Sequence, residues 1–259
     1  MSSIAVDAMD PTFIVVAGLA ALMVGLSKGG LSLLGSVAVP MMALVMSPVK
    51  AAALLLPIFV VSDWVGLWSY RKEFDRRNLV ILTSAGIVGV ALGWATASLI
   101  SDRVVGLIIG FIGVGFCVNT WRLRHHALAA RAADLPRGMF WGTIMGFSSF
   151  VSHSGGPPYQ VYVLPQQLSK TVYAGTTTIL FAMINAVKLV PYWALGQLSL
   201  ANLRISLWLV PIAIGGTLAG VRLVRVMPQA IYFATVQLLL FAVSLKLIFD
   251  GLAPAQVDL

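Results

Sequence analysis

Charge is scarce in this sequence. Only 10% of the 259 residues are Asp, Glu, Lys or Arg, against about 25% in an ordinary soluble domain. So few charges do not cover the surface of a soluble chain of this length, which argues against a soluble α/β domain. Cysteine is nearly absent as well: Cys117 is the only one, which excludes an intramolecular disulfide framework and a cysteine metal site. There is no Walker A run, no HExxH and no complete dinucleotide fingerprint, so ATP-driven transport by this chain alone is not indicated and no cofactor or metal is expected. The first ten residues carry Asp7 and Asp10 but no Lys or Arg, unlike the basic opening of a cleavable signal peptide.

What the sequence has instead is apolar length. Hydrophobic residues make up 59% of it. Six runs read as single membrane spans: Ala51–Tyr70, Leu79–Ile100, Val104–Trp121, Val172–Leu195, Leu203–Val221 and Ala230–Phe249. Each is close to the ~20 residues that cross ~30 Å of hydrocarbon. A span must satisfy its backbone polar groups internally, so an all-α membrane protein is expected. Two further apolar regions are interrupted. Thr12–Met46 is split by Ser-Lys-Gly-Gly at 27–30, and Met139–Leu168 is split by Ser-His-Ser-Gly-Gly-Pro-Pro at 152–158. The second region's arms, Met139–Val151 and Pro157–Leu168, look too short to cross alone and read as a re-entrant hairpin or a broken helix.

The formal charge of +8 sits in short loops beside the spans, which fits membrane sidedness and not nucleic-acid binding. The loop 71–77 holds four basic and two acidic residues, and the linker 122–137 holds Arg122, Arg124, Arg131 and Arg137 against Asp134. Both are expected on the cytoplasmic side, with Arg222 and Arg225 marking a third inner loop. The N-terminus, the 195–202 loop and the C-terminal tail are poor in basic residues and are expected outside. Trp68, Trp121, Trp141 and Trp193 stand near span ends as interface anchors.

The halves resemble one another at an offset of 124 to 127 residues. Gly29-Gly30 aligns with Gly155-Gly156, Pro40 with Pro165, Asn78-Leu79 with Asn202-Leu203, and Gly89/Gly93 with Gly216/Gly220. The loop before Leu79 is basic and its counterpart before Leu203 is not, so the halves are expected to insert in opposite directions. Residues 1–121 then form one repeat and 138–259 the other, each with three full spans and one hairpin. Inverted repeats with broken helices are an architecture of secondary transporters.

Four ionisable residues lie within apolar segments: Lys28, Asp63, His153 and Lys188. Such groups are costly in a membrane and mark pathways or partners. Lys28 and His153 are 125 residues apart, and so are Asp63 and Lys188. Each break also opens a half-helix, whose N-terminus attracts anions. Gly29, Gly30, Gly155 and Gly156 would let an anion approach the backbone, and Ser27, Ser32, Ser152 and Ser154 would add hydroxyl donors. Tyr159 and Gln160 would line the path. Asp63, Asn185, Lys188 and His153 are assigned to coupling or gating. Blander readings stand beside these: Lys28 snorkelling from a helix end, a structural Asp63–Lys188 ion pair, a satisfied buried His153, and plain helix packing at the Gly89/Gly93 and Gly216/Gly220 pairs.

From Gly25-x-x-x-Gly29-Gly30 through Pro40, Pro48, Lys50 and Asp63, with Gly155-Gly156 and Pro165 repeating the pattern, the chain resembles the sulfite exporter TauE/SafE family. The resemblance implies a bacterial inner-membrane carrier of sulfite, of organosulfonates such as sulfoacetate, or of related sulfur anions. Members are usually described with about eight predicted helices in two related halves, which matches the present count if each broken region is scored as one helix but implies parallel halves; the charge pattern argues for the inverted arrangement. The expected partners are the anion, the bilayer and a coupling proton. A homodimer is left open and nucleic acid is not expected. The rivals are an anion channel, a carrier of a non-sulfur anion, and an intramembrane enzyme using Ser152 and His153. The last lacks a third group to orient the histidine.

Overall fold

The computed structural model describes residues 10–42, 44–46, 48–96, 99, 101–123, 129–194 and 200–252. Among these the chain is helical and has no strand. The helices are α1 (Pro11–Lys28), α2 (Gly35–Met42), α3 (Pro48–Tyr70), α4 (Arg76–Ala95) and α5 (Asp102–Arg122) in the first half. The second half holds α6 (Leu135–Ser152), α7 (Gly156–Val163), α8 (Lys170–Ala194), α9 (Leu200–Val226) and α10 (Gln229–Leu252). Six of them, α1, α4, α5, α8, α9 and α10, are long and apolar enough to cross a membrane. This is an all-α, multi-pass membrane protein.

Local signals explain where the helices begin. Asp10 accepts the Thr12 N–H at 2.9 Å ahead of Pro11. Asp134 accepts the Arg137 N–H at 2.9 Å, with Pro136 in the first turn. Asp75 accepts the Asn78 N–H at 2.7 Å at the start of α4. In each case a short carboxylate takes a donor that the first turn leaves unpaired.

The chain divides into two compact units. The first comprises Met1–Leu79 and Ser169–Tyr232, the second Val80–Leu168 and Phe233–Leu259. In the first unit α1 lies against α9 through glycine. A Cβ at Gly25 would run into the Ala213 carbonyl, one at Gly29 would stand 2.5 Å from Thr217 O, and one at Gly220 would stand 2.9 Å from Gly29 Cα. Ala17, Ala21, Leu55, Ile58 and Leu209 fill the core around this contact. In the second unit α6 lies against α4 in the same manner: a Cβ at Gly146 would run into Gly86, and one at Gly89 into the Thr143 carbonyl. Small residues let membrane helices approach closely where no hydrophobic effect drives them together. Gly89 and Gly216 therefore serve helix packing.

Several boundaries differ from the sequence reading. The arm read as Met139–Val151 begins at Leu135, because Asp134 and Pro136 start the helix earlier than the apolar run does. At 18 residues α6 reaches about 27 Å, longer than the 13-residue arm read from the sequence. The span read to Ile100 ends at Ala95, where the Thr96 hydroxyl donates to Leu92 O at 2.7 Å and Leu99 N–H closes a turn onto Thr96 O. Arg222 and Arg225 are not in a loop: α9 continues to Val226 and places Arg225 in its last turn, where a cation meets the negative helix end. Trp68 and Trp121 are exposed, as anchors require. Asp7, the residues 195–199, the Trp193 side chain and the C-terminal tail with Asp258 lie outside the described residues.

Candidate functional site

The first break follows Lys28. A helix end leaves its last carbonyls without partners, and here the surrounding chain supplies all of them. Gly29, Leu31 and Gly30 N–H groups go to Gly25, Leu26 and Ser27 carbonyls. The next three carbonyls take side-chain hydroxyls from other helices of the same unit. Thr178 Oγ1 of α8 donates to Lys28 O at 3.2 Å, Tyr70 of α3 to Gly29 O at 2.7 Å, and Tyr232 of α10 to Gly30 O at 2.9 Å. Gly30 has a φ of 117°, a region that only glycine occupies without strain. The break is thus a fixed, fully bonded turn.

Lys28 itself is 5% exposed and does not snorkel. Its Nζ lies 2.7 Å from Asp63 Oδ1 on α3 and 5.3 Å from the centre of the Phe59 ring. The other carboxylate oxygen, Asp63 Oδ2, accepts from Asn185 Nδ2 on α8 at 2.9 Å. Lys188, one helical turn beyond Asn185, is 4% exposed and within electrostatic reach of both Lys28 and Asp63. Lys188 is thus a second buried lysine on the helix that holds Asn185 against the Lys28–Asp63 pair. Phe59, Asp63, Gly66 and Tyr70 occupy one stripe of α3 at helical spacing, and Thr178, Asn185 and Lys188 one stripe of α8. These two stripes build the site.

The second break lies in the other unit. His153 ends α6 in the left-handed region with φ 53°. It is half-buried, less so than a core histidine. Its N–H and that of Ser154 both go to Ser148 O. The predicted prolines, Pro157 and Pro158, stand in the first turn of α7. Tyr159 and Gln160 are fully buried.

Three of the predicted serines hydrogen-bond backbone carbonyls. Ser27 Oγ donates to Val24 O at 2.7 Å, Ser152 Oγ to Ser148 O at 3.2 Å, and Ser154 Oγ to Ser152 O at 2.9 Å. Their hydrogens are spent on backbone carbonyls, which small hydroxyl side chains reach easily inside helices. Ser32 is half-buried and opens a short 3-10 turn. Gly29 admits helix α9 and leaves no approach for an anion at its Cα. Pro157 and Pro158 carry no N–H, so the start of α7 has fewer donors than a usual helix N-terminus. Tyr70, Tyr232, Thr178 and Phe59 were missed by sequence reasoning. The signal for Phe59 and Tyr70 was their stripe with Asp63; Tyr232 has no local signal.

In chemical terms the first site is a cluster of exchangeable partners. Asp63 is held on one oxygen by the Lys28 ammonium and on the other by the Asn185 amide. Among the described residues no group of His, Cys, Asp and Glu could hold a metal ion. Neither the curated proteins nor the solved structures yield a match to this chain. One family model does, over residues 14–247, which takes in both breaks and every ionisable residue of the sites above. The chain belongs to the sulfite exporter TauE/SafE family.

Proposed function

We propose that the chain is a secondary carrier that exports sulfite, an organosulfonate such as sulfoacetate, or a related small sulfur anion across the bacterial cytoplasmic membrane. The observation that carries this reading is the buried Lys28–Asp63 pair, with a second buried lysine, Lys188, on α8. Asp63 is the one carboxylate within the described spans of its unit. A cation in an apolar interior needs a partner, and a bound anion can take the place of Asp63 beside Lys28. Family membership supplies the class of anion.

The cycle we propose is alternating access about an inverted repeat. Its support is the repeat at 124 to 127 residues and the reciprocal packing of the breaks: α1 lies on α9, and α6 lies on α4, the helices that correspond in the two halves. Lys28 is assigned to anion binding, Asp63 and Asn185 to holding Lys28 when the anion is away, and His153 or Asp63 to a coupling proton. The orientation puts loop 71–77 and linker 122–137 in the cytoplasm and both termini outside.

The test is anion-induced thermal stabilisation of the purified protein by sulfite, sulfoacetate, acetate and phosphate. Stabilisation by the sulfur anions, lost in Lys28→Ala and weakened in His153→Ala, is expected. Unchanged affinity in both variants would sink the site assignment. Flux that fails to saturate, at rates far above those of carriers, would favour a channel. A reporter fused after Leu259 should read outside.

A further inference from the structure

Gln160 is fully buried in α7. Neither its Nε2 nor its Oε1 has a hydrogen-bond partner among the described residues. Because both ends are unpartnered, exchanging the nitrogen and oxygen positions changes nothing. A buried amide in this state is rare in folded proteins and asks for an explanation. Its surroundings sharpen the question. Gly155, Gly156, Pro157, Pro158 and Tyr159 are all buried beside it. The two prolines have no N–H, and the nearby hydroxyls of Ser152 and Ser154 already donate to backbone. The carboxamide of Gln160 is thus the uncommitted polar group of this break, and it offers one donor end and one acceptor end.

A partner that satisfies both ends must itself accept one hydrogen bond and give one. A fully deprotonated oxyanion presents only acceptor oxygens, which suit Nε2 and repel Oε1. We propose that Gln160 determines specificity by selecting a sulfur oxyanion that carries a hydrogen-bond donor. Hydrogensulfite has one in its own hydroxyl; a hydroxyl- or amino-bearing sulfonate has one on its chain. This rests on the carrier reading above and names the substrate class within it. A site built to pair both ends of an amide discriminates against an analogue missing one partner, because the amide is then left unpaired in the interior.

The experiment compares isethionate with propanesulfonate, which have the same number of heavy atoms and differ in one hydroxyl. Binding to the purified full chain is measured by calorimetry. The wild type is expected to prefer isethionate by about tenfold, the equivalent of ~1.4 kcal/mol for one hydrogen bond. In Gln160→Met, a change of similar volume that removes the orphaned amide, the preference disappears while propanesulfonate binding is kept. Binding of both sulfonates by the wild type without preference overturns the proposal and leaves the carrier reading intact. A preference that survives Gln160→Met also overturns it, and assigns the amide to a buried water. Should Gln160→Met not fold, Gln160→Leu replaces it, and the wild-type comparison decides alone. Failure of the wild type to bind any sulfur anion overturns both readings.

Discussion

Lys28 and Asp63 form a buried ion pair, Nζ to Oδ1 at 2.7 Å, that joins the broken end of α1 to the middle of α3. Removing one partner of such a pair leaves a desolvated charge alone and costs about 3–5 kcal/mol. Replacing both by apolar residues of similar volume is often neutral. Lys28→Met should therefore unfold much more readily in a detergent melt than the double variant Lys28→Met/Asp63→Leu. Both should lose sulfite-induced stabilisation. If the double variant keeps it, Lys28 is structural and the anion binds elsewhere.

The hydroxyls that close the first break give a different pattern. Tyr70→Phe and Tyr232→Phe each leave a buried carbonyl, Gly29 O or Gly30 O, without its partner. Each loss should cost about 1–3 kcal/mol of stability. The two carbonyls are adjacent, so the double variant should depart from additivity. Neither tyrosine is assigned to the anion. Their affinities for sulfite should stay within about twofold of the wild type, well short of the tenfold that 1.4 kcal/mol represents. A larger loss would move the anion site to the break itself.

His153 can be separated from its backbone role by a single change. Its φ of 53° is left-handed, a conformation that costs a non-glycine residue roughly 1–2 kcal/mol. His153→Gly relieves that strain, so a purely structural position predicts a higher melting temperature and unchanged transport. If the imidazole works in anion or proton movement, the variant should be more stable and less active at once. A proton role adds a signature: the pH dependence of transport should flatten in His153→Gly and persist in Tyr70→Phe.

Helix number and place were legible because apolar length is a strong signal and several starts carry a short carboxylate or a proline. Ends were less legible. The apolar run after Ala95 continues, but the Thr96 hydroxyl turns the chain, and nothing in hydropathy marks that. Lys28, Asp63, Asn185 and Lys188 could be singled out as polar residues in apolar runs. Their pairing could not: the repeat suggested Asp63 with Lys188, and the three-dimensional packing gave its ion pair to Lys28. The partners of the serines were not legible either. A hydroxyl in a helix can bond its own backbone as readily as a ligand, and sequence does not distinguish the two.

Neighbouring glycines should respond with opposite signs. Gly25 and Gly215 lie in α1 and α9 of the same unit. At Gly25 a Cβ would run into the backbone of Ala213, which cannot move without shifting α9. Gly25→Ala should therefore destabilise by about 1–3 kcal/mol or more, as overpacking does. At Gly215 a Cβ would meet nothing within 4 Å. Gly215→Ala should stabilise by about 0.5–1 kcal/mol, since alanine loses less freedom in a helix. The same contrast is expected in the second unit between Gly146→Ala, which strikes Gly86, and Gly115→Ala, which meets open space. Matching melts in the two units would show that α1 on α9 and α6 on α4 are one packing solution used twice. If Gly146→Ala is tolerated while Gly25→Ala is not, the two contacts are not equivalent and the repeat loses its structural support.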